Sequence, residues 1–407
     1  MRQKTPGMAF IFITLLIDVL GFGLIIPVLP SLVASLSHGG LTAGAHILGL
    51  LLSCYGLMQF LFAPVLGSLS DRYGRRPVIL LSLFFTGIDY VLMARAPSIG
   101  WLFLGRTLAG ITGASFTAAS AYIADISPPE KRAQNFGMIG AAFGVGFIIG
   151  PAVGGLLGSL SPRAPFWAAA VLSIVNCLYG LFVLPESLGV ENRRAFSLRS
   201  ANPVGAFIIL ARHRWVLLMA GSIALQALAG QALQSTWVLY TTYRFHWTEL
   251  DNGLSMALLG VASILVQVVL IGRLVPAIGE KKAIWWGMVF NFVGFIGFAL
   301  AYRGWMMIAV MLVWSISFIA GPTTQSLVSK QYGPDEQGAI QGSLTSLQSL
   351  TGVFGPIFAT FVFGYFTSKA APVIVPGAAF FQGAVLIAFS ALLIVMALRA
   401  RPKDAPA

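Results

Sequence analysis

Charge is what this chain has least of. Only 9% of its 407 residues are Asp, Glu, Lys or Arg, while 57% are hydrophobic. A soluble domain carries about 25% charged residues, because its surface must face water. A cytosolic enzyme, a secreted disulfide scaffold and a disordered chain are thereby excluded. Cysteine is nearly absent: Cys54 and Cys177 both sit inside apolar runs and cannot build a disulfide framework. The four histidines, His38, His46, His213 and His246, lie in or near loops, so no histidine relay and no metal cluster is expected at membrane depth. Acidic residues number 13 against 25 basic ones, a net charge of +12.

What is present is a series of long apolar runs. A spanning helix needs about 20 mostly apolar residues. Twelve such runs are predicted, at roughly 8–30, 45–66, 77–95, 100–124, 134–158, 164–184, 215–240, 252–272, 283–302, 305–328, 338–363 and 377–398. They are too long and too evenly apolar for barrel strands, so the expected class is an all-α membrane protein. The first run is too long for the core of a cleavable signal peptide and is read as a retained span. Nineteen of the 25 Lys and Arg fall in the N-tail, the even-numbered turns and the C-tail, five fall in the opposite loops, and Arg106 lies inside span four. The positive-inside rule then places both termini in the cytoplasm. The basic charge sets topology, and no nucleic-acid partner is expected.

The longest polar stretch separates spans six and seven. It divides the chain into bundles 1–190 and 214–407 joined by a linker at 191–213. The halves repeat at an offset of 205 residues: Gly67 and Gly74 align with Gly272 and Gly279, Gly137 with Gly342, and Gly150-Pro151 with Gly355-Pro356. Parallel six-span repeats are a transporter architecture with a binding site near the midplane.

The loop after span two reads Gly67-Ser-Leu-Ser-Asp71-Arg72-Tyr-Gly74-Arg75-Arg76, span four carries Arg106-Thr-Leu-Ala-Gly110, and span five carries Gly150-Pro151-Ala-Val-Gly154. These strings resemble the signature motifs of the major facilitator superfamily and of its drug-exporting branch. Span one, Asp18-Val-Leu-Gly21-Phe-Gly23-Leu-Ile-Ile-Pro27, with Asp89-Tyr90 in span three, is similar to the tetracycline/proton antiporters. The resemblance implies a major facilitator fold and proton-coupled export of a small amphipathic compound across a bacterial inner membrane. The alternative is export of an endogenous metabolite or a non-tetracycline drug, including uniport. The tetracycline group carries an aspartate at the position of Asn291 and a histidine at that of Ser263, so weak tetracycline export is expected here. No cofactor or metal is implied; the partners are substrate, protons and lipid, and a monomer is expected.

Residue chemistry supplies candidate roles. Asp71 can face the N-terminus of span eleven near Gln337, where a helix dipole favours a carboxylate. Arg72, Arg75 and Arg76 can reach Asp125 and Glu130. With Gly67, Gly74 and Arg132 these form a candidate cytoplasmic latch. Gly146, Gly150, Gly154 and Gly158 make a bare stripe on span five, bent by Pro151, that admits another helix closely, either as plain packing or as a seal between halves. Ionisable groups at membrane depth are costly and mark function; here they are Asp18, Asp89 and Arg106, assigned to proton coupling. The structural alternative is a static Asp18–Arg106 pair. The C-terminal half offers neutral groups for a substrate: Gln231, Gln234, Trp237, Gln267, Asn291 and Gln325, with Gln59 from span two. A membrane enzyme would need a nucleophile or metal cluster beside the Asp18 and Asp89 acids, and none stands there. A sensor would add a soluble domain, and none is evident.

Overall fold

The computed structural model describes residues 8–37, 39–113, 115–128, 131–193, 214–329 and 334–400. Glu130 and most of the 191–213 linker lie outside them, as do the side chains of Arg132 and Gln337. Among the described residues the regular structure is helical, with no strand. The helices are α1 (Met8–Ile25), α2 (Leu29–Leu36), α3 (Gly40–Tyr73), α4 (Arg75–Arg95), α5 (Ile99–Thr112), α6 (Ser115–Ile126), α7 (Arg132–Leu160) and α8 (Ala164–Val183). They continue with α9 (Arg214–Phe245), α10 (Glu249–Leu265), α11 (Ile271–Ile278), α12 (Glu280–Leu300), α13 (Gly304–Trp314), α14 (Ala320–Ser329), α15 (Pro334–Thr367) and α16 (Ala378–Ala400).

Among the described residues, eleven continuous stretches are long and apolar enough to cross a bilayer. Span four differs from expectation: it is delivered as α5 and α6, interrupted after Thr112 at Gly113. Span one also stops early, at Ile25, and a turn at Pro27 leads into α2. Proline cannot donate to a helical ladder and crowds the preceding turn. Large apolar side chains such as Leu156, Phe182 and Val268 face outward, while Asp89, Arg106, Asn176, Thr236 and Ser390 are buried. That inverts a soluble protein and suits a lipid solvent.

The chain forms two compact units. Unit 1 comprises Met1–His38, Cys54–Asn202 and Thr248–Gly260; in it α1 packs on α7 and α8, and α4 packs on α5 and α8. Unit 2 comprises Gly39–Ser53, Pro203–Trp247 and Val261–Ala407; in it α9 packs on α15 and α16, and α12 packs on α13, α14 and α16. The internal repeat is visible in the backbone. Gly74 precedes α4 with φ 108° and Gly279 precedes α12 with φ 82°, a region that glycine alone enters readily. Pro151 and Pro356 likewise occupy matching interior positions of α7 and α15.

Candidate functional site

Unit 1 encloses a cavity of about 60 Å³ lined by Asp18, Tyr55, Asp89, Tyr90 and Arg106 among others. It has room for a few waters and none for an organic ligand. Asp89 Oδ2 pairs with the Arg106 guanidinium, and the residues are 0% and 3% exposed. Arg106 thus pairs with Asp89, and Asp18, the partner the sequence also suggested, lines the same cavity. Chain geometry explains the choice. Asp89 lies six residues before the end of α4, and Arg106 lies seven residues after the start of α5. At 1.5 Å per residue both stand roughly 10 Å from the hairpin turn, on neighbouring helices.

The rings of Tyr55 and Tyr90 flank the guanidinium at 5.4 and 6.0 Å, an attractive arrangement for a cation. Asp89 Oδ1 and Arg106 Nε are buried without a hydrogen-bond partner. A Cβ placed on Gly105 would stand 2.5 Å from Asp89 Oδ1, so glycine there makes room for the carboxylate.

The second cluster sits at the junction of α3 and α4. Arg75 donates from Nη1 to Asp71 Oδ1 at 2.5 Å and to Ser70 Oγ at 2.7 Å, and from Nε to Asp125 Oδ2 at 3.1 Å. Arg76 donates to the Leu181 carbonyl, and exposed Arg72 stands over the Tyr73 ring at 5.2 Å. Of the three arginine side chains, that of Arg75 makes the carboxylate contacts. Gly67 would meet only Thr117 at an ordinary 3.6 Å if it carried a Cβ.

Sequence reasoning missed Glu186. Its Oε1 accepts the backbone N–H groups of Arg75, Ser187 and Leu188 at 2.8, 3.0 and 3.1 Å, and its Oε2 accepts that of Arg76 at 3.2 Å. The first N–H groups of α4 have no helical partner of their own, and Glu186 caps them from the far end of α8. The available signal was a lone acid in Pro185-Glu186-Ser187, just past span six.

The glycine stripe of α7 packs on α1. A Cβ on Gly150 would meet Gly23 Cα at 2.8 Å, and one on Gly154 would run into the Leu24 backbone. The start of α10 meets a different edge of α7: a Cβ on Gly155 would stand 3.0 Å from Leu250 Cα, and one on Gly253 would meet the Pro151 carbonyl.

Unit 2 holds a cavity of about 390 Å³, within the usual range for a small organic ligand. Asn291, Gln267 and Gln325 line it together with Gln226, Gln348 and Trp314. Among the described residues, its lining includes no acid, base or histidine. Two irregular turns border it: a π turn at Val266–Leu270 carries Gln267, and a 3₁₀ turn at Ser315–Ile319 carries Phe318. Such turns are frequent at functional sites. Gln231, Gln234 and Trp237 are not among its lining residues. Trp237 is 5% exposed and packs edge-on against Phe298 and Trp247, and Gln231 packs where a Cβ on Gly355 would go. In unit 1, Gln59 donates to the Gly113 carbonyl at 3.3 Å.

Residues 11–356 match the Major Facilitator Superfamily. The chain belongs to that superfamily. It is a multi-pass membrane transporter and falls within the superfamily's tetracycline-resistance group. It is 43% identical to the class C tetracycline resistance protein of Escherichia coli over 350 residues, 86% of this chain and 88% of that one. It is 38% identical to the class B protein of Escherichia coli over 353 residues, 86% of each chain. The human organic anion transporter MFSD10 (TETRAN) superposes with a TM-score of 0.70 at 25% identity, covering 95% of this chain and 98% of that one. The nucleoside transporter NupG superposes at 0.76 with 16% identity, covering 97% and 98%, a likeness of fold alone. In this major facilitator chain the ionisable groups at depth gather in unit 1, and the uncharged ligand-sized cavity lies in unit 2.

Proposed function

We propose that this chain is a proton-coupled antiporter that exports a small amphipathic drug across the inner membrane by alternating access. Its halves are 1–190 and 214–407, with the 191–213 linker and both termini in the cytoplasm. The observation that carries the reading is the buried Asp89–Arg106 pair, whose carboxylate has one oxygen without a donor. Apolar residues in place of a buried ion pair are often as stable or more so, so a pair kept at membrane depth points to function. A proton taken by Asp89 removes its charge and frees Arg106 from its counter-ion. Asp18, on the same cavity, is then the carboxylate that Arg106 can turn to. Two protonation states thus give two arrangements of one buried network, which is what coupling needs. Arg75 with Asp71 and Asp125, Glu186, and the Gly150–Pro151 face of α7 serve as the gating parts.

The tetracycline-resistance relatives support a drug as the cargo. The uncharged unit 2 cavity favours a drug other than a metal-bound tetracycline as the second reading. Everted vesicles test the proposal. Adding substrate to respiring vesicles should release lumenal protons and drive substrate uptake that collapses with a protonophore. Uptake that survives the protonophore and requires ATP would overturn it.

A further inference from the structure

The unit 2 cavity carries a more specific statement, which deepens the export reading and rests on it. Trp314 Nε1 donates to Asn291 Oδ1 at 2.9 Å. An indole N–H can only donate, so the Asn291 atom it meets must be the oxygen, and the NH₂ group occupies the other side. Trp314 is itself held: it is 6% exposed and packs against Phe318, Phe298 and Phe295 at ring separations of 5.0, 5.6 and 6.3 Å. Gly294 beside it leaves no space for a Cβ.

A second amide in the wall is oriented the same way. Gln226 Nε2 donates to Ser222 Oγ at 3.2 Å and to the Ser222 carbonyl at 3.5 Å. The carbonyl accepts only, so Gln226 Oε1 is the edge left for a ligand. Ser222 is fixed in turn by Ser390 on α16, with the hydroxyls 2.6 Å apart and Ser390 Oγ donating to the Ser222 carbonyl at 3.0 Å. Gln267 Nε2 likewise donates to Ser263 Oγ at 2.7 Å. The wall thus holds an Asn291 whose oxygen is taken by Trp314, leaving its NH₂ as a donor, and Gln226 and Gln267 whose NH₂ groups are engaged, leaving acceptors; Trp314 and Phe318 add aromatic faces, and among the described residues no charged side chain lines it.

We propose that this cavity takes an aromatic ligand of zero net charge, whose acceptor edge meets the Asn291 NH₂, and that Trp314 is the positioning residue that sets this polarity. Moving a net cation into such a site strips its water without offering a counter-charge. The cavity thus selects the metal-free form of a drug that can also exist as a cationic chelate. An aspartate at position 291 would still accept the Trp314 N–H but would present a carboxylate oxygen where the NH₂ now stands, which inverts the preference.

The test is equilibrium binding to the full chain purified in detergent, read by tryptophan fluorescence. The probe is tetracycline, once with EDTA and once as its Mg²⁺ complex. Binding in detergent needs no proton gradient, so its outcome is separate from the vesicle assay. Wild type should bind the metal-free form about tenfold more tightly. Asn291→Asp should reverse the order and shift the ratio of the two affinities by on the order of a hundredfold. Trp314→Phe keeps a ring and removes the N–H, so Asn291 can turn either edge to the ligand. The ratio should fall toward one, with a melting temperature lowered by the smaller buried ring. A merely structural role for Trp314 would weaken both forms equally. That result would overturn the assignment of Trp314, and tighter binding of the Mg²⁺ complex by wild type, or no binding of either form, would overturn the ligand class.

Discussion

Replacing Asp89 with Asn removes one charge of the buried Asp89–Arg106 pair. Arg106 is 3% exposed and the carboxylate of Asp89 is its ion-pair partner. Removing one partner of a buried pair costs up to about 3–5 kcal/mol, because the other charge loses its counter-ion; Asp18, on the same cavity, can offset part of that if Arg106 turns to it. The Asn side chain still offers an oxygen to the guanidinium, and a hydrogen bond of that kind returns about 1 kcal/mol. A net loss of up to about 2–4 kcal/mol is expected, visible as lower thermal stability in detergent and reduced membrane content. Asp89→Asn/Arg106→Gln removes both charges of the pair and should be more stable than Asp89→Asn alone, since the guanidinium that lost its partner is gone too. Transport should follow a different order. Neither variant can cycle a proton at position 89, so both should lose uphill export while retaining downhill exchange of substrate. The assay is substrate-driven proton release from everted vesicles, normalised to protein content, beside a melting curve. Undiminished proton release by Asp89→Asn would refute the coupling role. Additive stability losses in the double variant would refute the energetic argument for the pair.

Glu186→Gln keeps an acceptor at the start of α4 but removes the charge, so a stability loss of about 0.5–2 kcal/mol is expected; Glu186→Ala should lose more, and equal melting curves for all three proteins would contradict the capping role. Asp71→Asn takes one of two carboxylates from Arg75 and should slow transport at unchanged membrane content; full turnover would remove Asp71 from the gating parts. Gly150→Leu forces side-chain atoms into a contact where even a Cβ would stand 2.8 Å from Gly23 Cα. Overpacking costs about 1–3 kcal/mol or more, so membrane content should fall sharply, and normal expression would show that α1 and α7 can part.

Much of the architecture was legible in the chain because a bilayer imposes a length. Runs of about twenty apolar residues have no other use at this density. The 205-residue repeat was legible for a similar reason. Gly74 and Gly279 hold backbone angles that side chains avoid, so glycine is required at both. The break in span four was harder to see, since Gly113 lies in a run whose hydropathy is continuous.

Asp18, Asp89 and Arg106 stood out in the sequence as charges in an apolar setting, but not as a particular pair. A hydropathy run states that a residue is at depth and leaves open which way it faces, because each residue turns the helix by about 100°. Pairing was decided by the α4–α5 hairpin, which brings Asp89 to Arg106. The same limit applied to the amides. Gln231, Gln234, Gln267 and Asn291 were equivalent as polar residues in apolar spans, yet the packing of α9 and the π turn after α10 bring Gln226 and Gln267 to the cavity with Asn291. Glu186 is the sharpest case: its four backbone donors come from residues next to it in the chain and from the start of α4, more than a hundred positions away. Sequence thus determined the membrane class, the span number and the residue types available at depth. Which edge of Asn291 Trp314 engages, and that Arg106 holds Asp89, depended on how consecutive helices turn toward each other across their hairpins, and only their packing could decide that.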